Sequence, residues 1–157
     1  MFRAMRRFKQ AVSDAECRKI LAEEPRGVLC VQGDDGPYGM PMNHFYDEES
    51  GNLYFHGALT GHRMDSLKKC DKVCFTVYDK GFVREGEWAL NIKSVIVFGR
   101  MRVIEDNEKR LSVLKKLGMK FYPTEEGVIE EINKSAARAA VFELVPEHIT
   151  GKLVNES

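Results

Sequence analysis

The sequence predicts a mainly β protein, an antiparallel barrel with helices at its periphery. Three observations lead there. Short segments with the alternation of half-buried strands are separated by dense turn chemistry. Segments with helical spacing stand between distant strand pairs instead of alternating with every strand. The longest strand candidate, Ile92–Ile104, carries Gly99 in its middle, where a curved barrel strand needs a bulge or a close backbone approach.

Taken in order, Ser13-Asp14-Ala15-Glu16 is a capping-box pattern in which the serine oxygen and the glutamate carboxylate serve each other's orphan N–H groups. It opens a helix with Cys17, Ile20 and Leu21 on its apolar stripe, ended by Pro25 and Gly27. Gly27–Gln32 reads as a buried strand, Gly33-Asp34-Asp35-Gly36-Pro37 as a turn, and Tyr38–Tyr46 as the returning strand. Asp47–Asn52 turns the chain into a strand at Leu53–His56. Thr60 reads as the N-cap of a helix from about Gly61 to Lys69, with Met64 and Leu67 inward. Val73, Phe75 and Val77 alternate with polar or smaller residues on the next strand. A loop with Trp88 leads to Ile92–Ile104, where Val95, Val97, Gly99, Met101 and Val103 share a face. Leu111, Leu114 and Leu117 mark a helix over Asn107–Leu117, closed by Gly118 as its C′ residue. Glu125–Lys134 reads as a further helix and Ala139–Val145 as the final strand.

Composition narrows the function classes. A chain of 157 residues with 43% hydrophobic and 31% charged content has the makeup of one folded domain, and residues 1–157 are read as such, with residues 1–10 as a basic arm. Lys+Arg and Asp+Glu balance at 24 each, which removes the electrostatic drive for nucleic-acid binding. Arg3, Arg6, Arg7 and Lys9 make the first residues basic, but Asp14, Glu16, Glu23 and Glu24 follow too soon for a targeting segment, so a frayed arm before the first helix is expected. No apolar run approaches the roughly 18 residues of a membrane helix. Cys17, Cys30, Cys70 and Cys74 without a secretory signal read as reduced thiols in a cytoplasmic protein, and the Cys70/Cys74 spacing does not match a zinc knuckle. No metal site is expected.

GxGxxG, GxxxxGK[ST], HExxH and GxSxG are all absent, and Gly33–Gly36 lacks the remaining ligands of a calcium loop. The richest stretch runs from Leu53 through His56, Gly57, Gly61, His62 and Arg63 to Lys69. A strand ends, small residues follow, and a helix opens with basic side chains in its first turn. Free backbone N–H groups, the positive end of the helix dipole and a guanidinium together make a phosphate cradle. A capped surface helix with a solvated face explains the same residues, and physics alone leaves the two readings level. His44 and His56 likewise read either as functional imidazoles or as satisfied polar residues on strands.

Pro41-Met42-Asn43, Tyr54-Phe55-His56-Gly57, Gly61-His62-Arg63 with Leu67, Val73-Cys74-Phe75 and Ser94-Val95-Ile96-Val97-Phe98-Gly99-Arg100, in that order, resemble the pyridoxamine 5′-phosphate oxidase-related flavin-binding split barrels. The likeness spans about residues 5 to 150 and is strongest to the nitroimidazole-resistance branch, which tends to open with a stretch like Met5-Arg6-Arg7. The resemblance implies a six-stranded antiparallel split β-barrel that dimerises and holds FMN between subunits. It places Pro41, Met42 and Asn43 along the isoalloxazine, Phe55 and His56 at the ring edge or ribityl chain, His62 and Arg63 at the phosphate, and Ser94 and Val95 in the rest of the flavin site. The family usually carries two basic residues where His62-Arg63 stands here, and a histidine is by type only partly charged near neutral pH. The residues that grip pyridoxal phosphate in true pyridoxamine phosphate oxidases are not recognisable.

Two function classes follow from the resemblance. One is an FMN-dependent oxidoreductase acting on nitroaromatic or quinone-like small molecules with an unidentified electron donor, in which His56 is the candidate acid or base. The other is a module that stores or senses flavin, haem or deazaflavin without turnover. Neither involves nucleic acid or membrane.

Overall fold

The period-2 segments pair into one curled antiparallel sheet. The computed structural model describes residues 1–155. Its strands are β1 (Arg26–Gly33), β2 (Gly36–Asn43), β3 (Phe45–Tyr46), β4 (Leu53–Ala58), β5 (Lys72–Tyr78), β6 (Phe82–Val83), β7 (Leu90–Val103) and β8 (Ala139–Asn155). They run β2-β1-β5-β7-β8-β4-β3 across the sheet, with β6 beside β7. Two of the eight have only 2 residues each, so six long strands form the expected split barrel. The helices are α1 (Asp14–Glu23), α2 (His62–Lys69), α3 (Asn107–Phe121) and α4 (Glu125–Ser135).

Alternation builds the core. Leu29 and Val31 on β1, Phe75 and Val77 on β5, Val95 and Val97 on β7, and Phe142 and Leu144 on β8 all point into the barrel, joined by Phe55 of β4. Cys17, Ile20 and Leu21 of α1 pack into the same core, as their spacing predicts. Each such aliphatic or aromatic side chain contributes about 1.5–3 kcal/mol by leaving water. The outer face of β4 and β8 carries a second cluster, in which Tyr54 and Val141 meet Val113 and Leu117 of α3. Glu143, 1% exposed, anchors this layer by accepting from Tyr54 Oη (2.8 Å), Lys109 Nζ (2.9 Å) and Arg102 Nε (2.6 Å). Burial would raise its pKa, but Lys109, Tyr54 and Arg102 overcome that and hold it at about 2.

The returning strand expected over Tyr38–Tyr46 is broken at His44. Its backbone leaves β1 after Asn43 and joins β4 at Phe45. Between them the His44 carbonyl accepts from Lys120 Nζ (3.0 Å) instead of from a strand, and its Nε2–H donates to the Leu21 carbonyl (2.7 Å). This partner switch is where the barrel splits.

Other elements depart from the sequence reading for local reasons. The capping box is half formed: Glu16 N–H donates to Ser13 Oγ (3.2 Å), but the Glu16 carboxylate pairs with Lys93 across to β7. Thr60 is not the cap of α2. The chain passes through Gly61 at φ +114°, which makes Gly61 the N-cap and leaves Thr60 outside. Val103 is exposed and Ile104 buried, because the chain leaves the sheet there. The register shift falls between Phe98 and Gly99, where the sequence placed a bulge. Helix α3 runs through Gly118 to Phe121, and Leu111 faces outward while Val113 and Leu117 are buried. Strand β8 continues past Val145 to Asn155, since β7 offers a partner along most of its length. The N-terminal arm is not frayed: Phe2 stacks on His148 (centroids 4.8 Å apart, 8° between planes), and Ala11 bridges to Lys152. Among the described residues, no helix is long and apolar enough to cross a membrane, and no cluster of ligating side chains forms a metal site.

Candidate functional site

The end of β4, the start of α2 and the end of β2 converge. Gly57 pairs with Ala140 of β8, next to Phe142 on the same strand. Its missing side chain leaves room that the Arg63 guanidinium fills. Arg63, the second residue of α2, lies with Cζ 4.7 Å over the Phe142 ring and donates from Nη1 to Met42 Sδ (3.3 Å). Its Nε is buried with no partner, and no carboxylate pairs with it among the described residues. Burial pushes its pKa down. A half-buried cation with a thioether as its main polar contact is an incomplete arrangement, because burying such a charge is costly without an anion.

Around Arg63, His62 is exposed and stacked on Tyr38 (centroids 4.3 Å apart, 12° between planes). His56 projects from the outer face of β4, where partial burial and then the neighbouring Arg63 charge push its pKa below the usual histidine value. Both effects favour the neutral imidazole. Asn43, at the end of β2, lines a cavity together with His56. Neither the Asn43 carboxamide nor the His56 ring has a hydrogen-bond partner among the described residues. The cavity, about 190 Å³, reaches between α3 and α4 to Leu114, Phe121, Val128 and Ile132.

Of the residues singled out in the sequence, the structure therefore brings together Met42, Asn43, His56 and Arg63, with His62 at the rim. Pro41 is exposed on β2, opposite Val28. Phe55 shares the face of β4 with Gly57 but is fully buried in the barrel against Phe75 (centroids 4.9 Å apart), on the side of the strand away from the cavity that Asn43 and His56 line. Val95 is likewise wholly inside the core. Ser94 lies on a different surface. It pairs with Lys152 near the end of β8, whereas His56 pairs with Val141 near its start. There Ser94 lines a second cavity, about 200 Å³, with Arg3, Lys152 and Phe98.

Sequence reasoning missed Phe142, Tyr38 and the α3–α4 wall. The helix wall had a signal, since Leu114, Leu117 and Phe121 on one helix and Val128 and Ile132 on the next recur at helical spacing. Phe142 and Tyr38 had none, because their roles depend on which strands lie side by side.

Comparison with known proteins agrees with this architecture. The chain is similar in structure to a candidate 5-nitroimidazole antibiotic resistance protein from Bacteroides thetaiotaomicron (TM-score 0.75, 19% identity, 92% of this chain and 87% of that chain). It is similar to a flavocytochrome from Azotobacter vinelandii (TM-score 0.78, 22% identity, 96% and 72% covered), and to an FAD-binding protein from Mycobacterium smegmatis (TM-score 0.68, 18% identity, 94% and 99% covered). No protein with a curated description is close enough in sequence to count as a relative. The sequence pattern of one family, pyridoxamine 5′-phosphate oxidase, matches residues 13–153, from the start of α1 to all but the last two residues of β8. The chain belongs to the pyridoxamine 5′-phosphate oxidase family.

Proposed function

We propose that two copies of this chain hold FMN in a shared site and use it to reduce a small organic acceptor. The observation that carries the reading is Arg63: a half-buried guanidinium at the N-terminus of α2, with an unpartnered Nε and no carboxylate. A phosphate there completes its hydrogen bonds and meets the positive end of the helix dipole. Flavin-binding names among the similar structures support the same cofactor class.

Bound FMN supplies the redox chemistry. Arg63, with His62 at the rim, binds the phosphate. Met42 and Asn43 orient the ring from β2, and Pro41 flanks it. His56 offers a neutral imidazole, able to hold a proton at one nitrogen and accept at the other. Ser94, on its separate surface beside Arg3 and Lys152, serves the site of the second copy. Free thiols at all four cysteines fit a reducing compartment such as the cytoplasm. A storage module needs no room next to its cofactor, so the cavity beside Asn43 and His56 favours an enzyme. Turnover with a reduced nicotinamide or another donor separates the two.

The test of the phosphate assignment compares FMN with riboflavin, which has no phosphate. Arg63→Ala removes a charge-assisted contact of about 1.5–3 kcal/mol, so FMN affinity should fall roughly ten- to a hundred-fold. Riboflavin affinity should stay the same. Equal losses for both ligands would overturn the assignment.

A further inference from the structure

Two of the four cysteines meet across the barrel wall. Cys30 of β1 stands directly opposite Cys74 of β5, at the end of the three pairs that join these strands. Leu29 and Val31 on one strand and Val73 and Phe75 on the other point into the core, so alternation turns both thiols to the outer face. Both are half-buried, and neither is in a disulfide. They belong to a row across five strands, Gly39, Cys30, Cys74, Phe98 and His148. Gly39 leaves the Cys30 sulfur room to turn, since even a Cβ there would stay 3.4 Å from it. Spacings in an antiparallel ladder suit a bridge. Opposed Cα atoms lie about 4.5 or 5.5 Å apart, within the roughly 4.4–6.8 Å of disulfides. Opposed Cβ atoms, at about 4.5–5.5 Å, need to close by roughly 1 Å. Past Cys30 no further β1–β5 pair forms among the described residues, so the end of the ladder is free to make that adjustment. Cys17 lies in the core and Cys70 ends α2, and neither faces a cysteine across a strand pair.

We propose that Cys30 and Cys74 form an oxidisable dithiol, a modification site that hydrogen peroxide or an organic hydroperoxide closes into a disulfide between β1 and β5. In the first step the Cys30 thiolate attacks the terminal peroxide oxygen. The O–O bond breaks, water or an alcohol leaves with the proton that the thiol gave up, and Cys30 becomes a sulfenic acid. In the second step the Cys74 sulfur attacks the Cys30 sulfur. The S–S bond forms, the S–O bond breaks, and the hydroxyl leaves as water with the Cys74 proton. Together the two thiols lose two electrons, and the peroxide gains them. Burial pushes the Cys74 thiol up, and the neighbouring Cys30 adds to that. Cys74 therefore holds its proton and suits the second, resolving role, while Cys30 beside Gly39 makes the first attack. In a reducing compartment small thiols reopen the bridge by exchange, so the pair rests as the free thiols. The assignment stands apart from the flavin reading and needs no cofactor.

The experiment treats the full, reduced chain with hydrogen peroxide, alkylates the remaining thiols after unfolding, and reads intact mass and linked peptides. The expected product has lost two hydrogens and carries a Cys30–Cys74 link, with Cys17 and Cys70 still alkylated. Cys74→Ser should leave a sulfenic acid at Cys30 that dimedone traps. Cys30→Ser should slow the oxidation of Cys74 roughly tenfold or more, because the attacking thiolate is gone. A second measurement uses the parent chain and needs no variant to fold. Phenylarsine oxide, whose arsenic takes two thiolates at once, should bind one per chain and shield Cys30 and Cys74 from alkylation together. A link through Cys17 or Cys70 would overturn the proposal. So would the absence of any link at a peroxide dose that oxidises Cys70, or an arsenical that shields one thiol of the pair and not the other.

Discussion

His44 is a residue whose ionisation this fold resists. The ring is fully buried, Nε2 donates to Leu21 and Nδ1 has no partner. Burial, then the nearby Lys120 charge, push its pKa from 6.5 to about 4. An unfolded chain takes up this proton as pH falls through 6.5, while the folded chain does not until about 4. Stability present above pH 6.5 is therefore lost progressively down to about pH 4, on the order of 3 kcal/mol in all. Glu143 acts in a lower window. Its depressed pKa stabilises above 4.5, and that contribution is lost as pH falls toward about 2. Urea unfolding across the upper window should show the loss in the parent and a flattened profile in His44→Gln, which cannot ionise. An unchanged slope in the variant would remove His44 as its source. At this scale the sequence was ambiguous: a strand histidine could be functional or structural, and only burial against Phe75 decides that His44 is structural. His56, on the opposite face of a neighbouring strand, keeps a free ring beside Arg63.

At the scale of elements, the α3–α4 pair shows what a one-residue signal hides. Glycine in a helix normally costs about 1 kcal/mol relative to alanine, so Gly118→Ala should stabilise α3 on propensity alone. Here a Cβ would come within 2.5 Å of Val128 Cγ1, because α4 packs directly on this turn. The substitution should therefore destabilise by about 1–3 kcal/mol through overpacking. Adding Val128→Ala, which vacates the space, should recover most of that loss; thermal melts of the two variants check this. Stabilisation by Gly118→Ala alone would contradict the packing. Strand alternation was readable along β5 and from Val95 to Met101 of β7 because one face is buried there. Ends were not readable where a tertiary partner decides them. Gly118 looked like a C′ residue, yet its role is contact with α4. Thr60 looked like a cap, yet the backbone at Gly61 sets the start. The length of β8 follows from its long pairing with β7, which no local pattern announces. The same holds for the site: the order of short motifs was legible, but the convergence of Gly57, Met42, Arg63 and Phe142 needed the strand order.

For the whole molecule, the distribution of site residues is the central fact. At the ends of β2 and β4, Arg63 and Met42 lie toward the barrel and Asn43 and His56 on the outer cavity, and a separate surface presents Ser94 with Arg3 and Lys152. In the proposed dimer, two chains related by a two-fold axis would join each surface to the other's complement, and twice over. Exposed aromatic residues outside the barrel, among them Tyr78, Phe98 and the lone tryptophan, Trp88 at 82% exposure, add apolar surface of the kind that association covers. On the proposed shared site, cofactor retention depends on dimerisation. Native mass spectrometry of the FMN-reconstituted protein tests that link most directly. The predicted spectrum is dominated by two chains carrying two FMN, with flavin-free monomer as the dissociated form. A single chain retaining one FMN, with no dimer, would contradict the shared site.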